Sequence, residues 1–204
     1  MKTLTATLLR STLLTALIAG LVQTCPAQSL TDLLGQLKST AASSGDATLK
    51  SLGSEFGSKA ASLNTSLAGN AAAQSQLTSG VQSLLSGNGA GSLATLSKLT
   101  QAKLTPDQMK LAKDVGNVGS AYVVQKNFGA LEGSQSDVAQ IVTSLRKGNA
   151  TAALPAVQKV AQNAKLTAPQ KELLTSVADK YAPGAKSVGD AIGTGLKAIP
   201  GFGK

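Results

Sequence analysis

The residue types that carry most enzyme chemistry are scarce in this sequence. Its 204 residues include no His and no Trp, and Cys25 is the one cysteine. Composition therefore excludes Ser-His and Cys-His nucleophilic pairs, His-ligated zinc and intramolecular disulfides. The ten carboxylates are scattered; Asp107 and Asp114, for example, lie two helical turns apart, which suits neither a metal pair nor an acid-base dyad. We expect no catalytic residue, no cofactor and no metal.

Two short motifs have the spacing of known catalytic or phosphate-binding loops. Ser144-Leu145-Arg146-Lys147 matches the S-x-x-K of serine acyl-transfer enzymes, but the companion S-D-N and K-T-G motifs are missing. Gly87-Asn88-Gly89-Ala90-Gly91 precedes a predicted helix, yet no strand precedes the glycines as a phosphate-cradling loop requires. The first motif is a chance match, and the second predicts a helix stop and linker.

Residues 1–27 have the pattern of a secretory signal peptide. Lys2 and Arg10 precede an apolar run that ends near Val22, and small residues precede a cleavage point after Ala27. The run is shorter than the ~20 residues that span a bilayer. The alternative is lipid attachment at Cys25, which would make the protein an outer-membrane or cell-surface lipoprotein. We expect export to the periplasm or the extracellular space.

The chain resembles itself after a shift of 61 positions. Residues 74–101 align with residues 135–162 with ten identities in 28 positions. The identities lie on an apolar stripe and at a Gly-Asn break, where a duplicated helix pair would retain them. Apolar residues recur at helical spacing, and no segment alternates with period two for long enough to predict a strand.

These patterns predict an all-α fold with a duplicated three-helix unit of about 61 residues. Either a helical bundle or a short α-solenoid would bury the stripes. The expected parts, after the signal peptide, are an N-terminal capping helix, unit 1, unit 2, a partial third unit and a loose Gly/Pro-rich tail, at residues 28–45, 46–104, 105–166, 167–182 and 183–204.

The tail carries a thin amphipathic series that could contact a membrane surface or a partner. Docking onto the protein's own helices is the alternative. The residues in question are Lys186, Val188, Ile192, Leu196, Lys197 and Ile199.

Two helix starts share the form L-T-x-x-Q, with Thr105 and Gln108 in the first and Thr167 and Gln170 in the second. The form resembles the paired motif of the periplasmic Spy/CpxP-type stress chaperones, and the resemblance implies an all-helical protein that shields apolar clients. A capping box needs the same residues at the same spacing, because Thr caps the helix and Gln returns a bond to it.

The positive charge lies mainly in the second half of the chain. The formal net charge is +9, and residues 101–204 hold 13 basic and seven acidic residues. The lysines are spread without interleaved aromatics, which argues against specific nucleic-acid binding and leaves weak contact with anionic surfaces. We expect a binding or structural component of the periplasm or cell envelope, with an unknown protein or envelope partner or as a homo-oligomer. The alternatives are a chaperone-like protein and a peripheral binder of anionic membranes or polyanions.

Overall fold

The computed structural model describes residues 28–181, and in that range the backbone forms eight α-helices and no strand. They are α1 (Leu30–Ser43), α2 (Ala47–Ser66), α3 (Ala71–Leu85), α4 (Gly89–Leu99), α5 (Pro106–Phe128), α6 (Gln135–Arg146), α7 (Ala150–Ala161) and α8 (Ala168–Tyr181). The predicted all-α class is confirmed. Residues 1–27, including Cys25, and the tail at residues 183–204 lie outside the described residues.

A two-residue signal sets most helix starts. Each glycine with a positive φ in residues 28–181 directly precedes the N-cap of the next helix. Glycine reaches this left-handed conformation without steric cost. The Asp or Asn that follows accepts a hydrogen bond from one or two of the first free amides of the next helix, whereas the side chain of Ser134 makes no such bond. The five pairs are Gly45-Asp46, Gly69-Asn70, Gly87-Asn88, Gly133-Ser134 and Gly148-Asn149. Consecutive helices are thereby joined by tight turns.

Helix α4 starts within Gly87-Asn88-Gly89-Ala90-Gly91, the segment predicted from sequence to be a helix stop and linker. The helix begins at Gly89, because the Asn88 side chain accepts a hydrogen bond from the amide of Gly91 at 2.8 Å. The cap outweighs the low helix propensity of the two glycines in the first turn. The segment expected to be a linker is therefore partly helical.

Helix α5 is the centre of the bundle and contacts α2, α4, α6 and α8. It runs antiparallel to α2, since Gln108 near its start binds the carbonyl of Ser66, and Gln125 near its end binds Asp46 at 2.6 Å. Residues 118–124 of α5 are all buried. Contacts on several sides of one helix are the packing of a helical bundle.

Three helices approach one another closely at Gly119 of α5. A Cβ placed there would lie 2.9 Å from a methyl carbon of Leu96 on α4 and 2.9 Å from the ring of Phe56 on α2. Both of these side chains are fully buried. The bare glycine backbone lets three helices converge at one point.

The remaining helices cover the α2–α5 pair. Helix α1 packs on α2 and α3, the hairpins α3–α4 and α6–α7 each pack internally, and α8 contacts α4 and α7 as well as α5. The two three-helix segments are not packed alike, since α5 lies along α6 whereas α2 touches α3 only near their junction.

We predict that Gly119→Ala destabilises the protein by about 1–3 kcal/mol, because the new methyl group must displace two buried side chains. Chemical denaturation followed by circular dichroism measures the change. Gly35→Ala is the matched control: Gly35 is exposed on α1 with nothing within 4 Å of its Cβ position, so helix propensity alone should raise stability by about 0.5–1 kcal/mol. Equal effects of the two substitutions would contradict the close approach.

Candidate functional site

The first L-T-x-x-Q motif forms the N-terminus of α5. Thr105 accepts a hydrogen bond from the amide of Gln108 at 3.3 Å, and the Gln108 side-chain oxygen accepts one from the amide of Thr105 at 3.0 Å. The Gln108 side-chain nitrogen also donates to the carbonyl of Ser66 in the last turn of α2. One glutamine thus completes a capping box and ties two helix ends together.

The second motif makes the same set of bonds at the start of α8. Gln170 exchanges hydrogen bonds with Thr167 at 3.0 and 3.4 Å, and its side-chain nitrogen donates to the carbonyl of Asn127 at 2.7 Å, near the end of α5. The chain of glutamine bonds therefore runs from α2 to α5 and from α5 to α8. The motif residues are used within the fold, which gives their shared pattern a structural explanation.

A buried polar cluster joins α5 to α8. The amine of Lys180 donates to the hydroxyl of Ser120 at 3.0 Å and to the carbonyl of Gly116 at 3.4 Å. Burial lowers the pKa of Lys180 from its ordinary value of 10.5 to about 8. A serine beside an amine of lowered pKa has the composition of a nucleophile and its base.

The surroundings of Ser120 do not suit catalysis. Its side chain is fully buried, and its hydroxyl donates to the carbonyl of Gly116 at 2.6 Å. Four clefts on the surface of residues 28–181 are lined by residues other than Ser120 and Lys180. We therefore assign the cluster a structural role in holding α8 on α5.

The feature best suited to binding is an open cleft between α2 and α6. It has a volume of about 530 Å³, with Leu52 and Val142 on its apolar side. Glu55 of α2 lies 2.6 Å from Nε of Arg146 in the last turn of α6. This ion pair joins the two walls, and Lys147 follows Arg146 at the rim. We name this depression the α2/α6 cleft.

The carboxylate of Glu55 depends on its basic partner. Its Oε2 atom has no contact with solvent and accepts no hydrogen bond of good geometry within residues 28–181. The positive charge of Arg146 therefore compensates the negative charge of this carboxylate. The guanidinium is held at one edge by Nε.

The end of the α2/α6 cleft lies at the N-terminus of α2. Asp46 caps this terminus by accepting bonds from the amides of Thr48 and Leu49 at 2.8 and 3.0 Å. Burial alone would raise the pKa of Asp46, but the hydrogen bonds from Gln125, Leu49 and Thr48 outweigh it and hold the pKa below its ordinary value of 3.8. Asp46 is thus an ionised carboxylate fully engaged in the fold.

Among residues 28–181, no group of three or more Cys, Asp or Glu side chains is arranged to hold a metal ion. Over the same residues, no helix is both long and apolar enough to cross a membrane.

Sequence reasoning placed some site residues and missed others. The helix-capping residues Thr105, Gln108, Thr167 and Gln170 lie at the two helix starts, 62 positions apart. The six tail residues from Lys186 to Ile199 and the lipidation candidate Cys25 lie outside the described residues. The pairs Ser120–Lys180 and Glu55–Arg146 were missed, because 60 and 91 positions separate the partners.

Comparison with known proteins found no match. No protein-family model, no curated protein and no solved structure is significantly similar to this chain.

We predict that Gln108→Ala and Gln170→Ala each lower the free energy of unfolding by about 1–2 kcal/mol, because each removes a capping box and a bond to a preceding helix. Urea denaturation provides the measurement. Gln36→Ala, at an exposed position of α1, is the control and should change stability by less than about 0.5 kcal/mol. A loss no larger than that of the control would show that the glutamine bonds do not stabilise the fold.

We predict that stability rises as the pH increases from about 7.5 to 9.5. In this range the unfolded chain still protonates Lys180, whereas the folded protein, with a pKa of about 8, loses the proton. The unfolded state then binds more protons, which adds on the order of 1–3 kcal/mol to the free energy of unfolding. Burial raises the pKa of Tyr122 above its ordinary value of 10.0, so tyrosine ionisation opposes this trend at higher pH.

Denaturation at several pH values measures the slope. Lys180→Met should abolish the rise, and Lys171→Met on the same helix should retain it. A rise that persists in Lys180→Met would show that another group is responsible.

Proposed function

We propose that the protein is an exported, non-enzymatic helical protein that serves as a binding component of the periplasm or cell envelope. The observation that carries this proposal is the α2/α6 cleft, where the Glu55–Arg146 ion pair holds a guanidinium beside Lys147 in an open depression. A site of this kind can bind an anionic group without catalysing a reaction. Export is supported by the signal-peptide pattern of residues 1–27.

We also propose that the two three-helix segments descend from a duplication. Besides the sequence match, the turns at Gly87-Asn88 and Gly148-Asn149 share a positive φ at glycine followed by an asparagine cap, 61 positions apart. The glutamine bonds of Gln108 and Gln170, 62 positions apart, relate the start of unit 2 to the start of the partial third unit. Divergence after duplication would account for the different packing of α2–α3 and α5–α6.

Of the two alternatives, anion binding has the better support. The chaperone-like function rests on L-T-x-x-Q residues that are already engaged in helix–helix bonds. Binding of a polyanion or anionic membrane agrees with the net charge. The sequence predicts a basic surface mainly from the second half of the chain. In the α2/α6 cleft, helix α2 from the first half contributes to that surface as well.

Purification from the native host, with mass spectrometry of the mature N-terminus and of co-purifying molecules, tests the proposal. We expect Gln28 as the first residue and recovery from the periplasm or medium. An intact Met1 and a cytosolic location would contradict export, whereas a diacylglyceryl-modified Cys25 would replace the soluble form by a lipoprotein.

A further inference from the structure

A second depression continues the α2/α6 cleft along α2. It has a volume of about 740 Å³ and is formed by the outward side chains of that helix. Both depressions are lined by Ala47, Ser51 and Glu55, so they form one continuous groove, which we name the α2 groove. Its basic and hydroxyl-bearing residues are Lys50, Lys59, Arg146, Lys147, Thr48, Ser51, Ser54, Ser58 and Thr143.

The charges along the α2 groove leave an excess of positive charge. Glu55 is paired with Arg146, and Lys59 lies 3.4 Å from Asp114 of α5. Lys50 and Lys147 form no ion pair within residues 28–181. The nearby carboxylate of Asp46 is engaged with two amides and Gln125. The groove therefore presents ammonium groups in each of its two parts.

The hydroxyls of the α2 groove are not used by the helix that carries them. Towards the end of α2, Ser62 and Thr65 donate to backbone carbonyls one turn back, both at 3.1 Å. Among the described residues, no hydrogen bond is formed by the side-chain hydroxyl of Ser51, Ser54 or Ser58. These three positions follow at spacings of three and four, which places them on one exposed face.

We propose that the α2 groove binds a linear acidic polysaccharide, with carboxylates at the ammonium and guanidinium groups and sugar hydroxyls at the serines. This inference rests on the proposed function and names its ligand class. A polysaccharide fits better than a nucleic acid, because no aromatic side chain lines the described groove for base stacking. It fits better than a membrane surface, because the lining is rich in hydroxyls and its larger apolar residues, Leu52 and Val142, are buried.

The test measures binding of polygalacturonate by the full-length exported protein, using isothermal titration calorimetry. Lys50→Gln/Lys147→Gln should weaken binding about tenfold, the effect of losing two exposed charge contacts. Lys98→Gln/Lys103→Gln is the matched control: it removes the same charge from the last turn of α4 and the loop beyond it. The control should change affinity by less than about twofold.

A third variant separates the shape of the α2 groove from its charge. Ser54→Leu adds bulk to the groove at an exposed position and leaves the net charge unchanged. We expect it to weaken binding at least about threefold while the circular dichroism spectrum stays that of the wild type. Fully esterified polygalacturonate, which lacks the charge, should not bind.

The inference is overturned if polygalacturonate does not bind, if both lysine pairs weaken binding equally, or if Ser54→Leu binds like the wild type. Tighter binding to single-stranded DNA or to phosphatidylglycerol vesicles would also overturn it. These results are independent of export. If the exported protein does not bind polygalacturonate, the proposed location still holds. If the protein binds polygalacturonate but retains an intact Met1, the proposed export is contradicted.

Discussion

The fold depends on the close packing of α2 and α4 against the bare backbone of α5 at Gly119. The sequence contains only three Phe and two Tyr residues, and the largest fully buried side chains are Tyr122, Phe56 and Phe128, which lie on α5 and α2. A core with so little aromatic area gains stability mainly from dense packing of aliphatic side chains. The missing side chain at Gly119 makes that density attainable, because Phe56 and Leu96 occupy the space that a Cβ would take.

The helix caps and apolar stripes of this fold can be predicted from sequence, because each depends on residues that are close together in the chain. A cap acts on amides two or three residues away, so Thr105 and Thr167 predict helix starts without knowledge of the tertiary structure. Apolar spacing likewise predicts buried stripes, and Leu33, Leu37 and Leu52 are each buried. At α4 two local signals disagree: the low helix propensity of Gly89 and Gly91 predicts a linker, whereas the cap at Asn88 starts the helix at Gly89.

Contacts between distant elements could not be predicted in this way. Periodicity predicts which side of α5 is apolar, but it does not predict that other helices pack on several sides of α5. The close approach of α2, α4 and α5 occurs at Gly119, which adds nothing to an apolar stripe. The Ser120–Lys180 bond depends on how α8 lies on α5. The Glu55–Arg146 pair depends on where α6 ends relative to α2. Each pair is fixed by helix packing, and the residues next to these four side chains in the sequence form no pattern that predicts the contact.

The distribution of charge changes when the chain is folded. In sequence the basic residues concentrate after residue 100, but the α2 groove combines Lys50 from the first half with Arg146 and Lys147 from the second. The C-terminal end of α6, with Arg146 and the adjacent Lys147, lies beside α2. Positive charge at this end also complements the dipole of α6. Glu55 then offsets the charge of Arg146 and fixes the position of its guanidinium group in the α2 groove. An ion pair that contributes little to stability on a half-exposed surface can in this way decide where an anion binds.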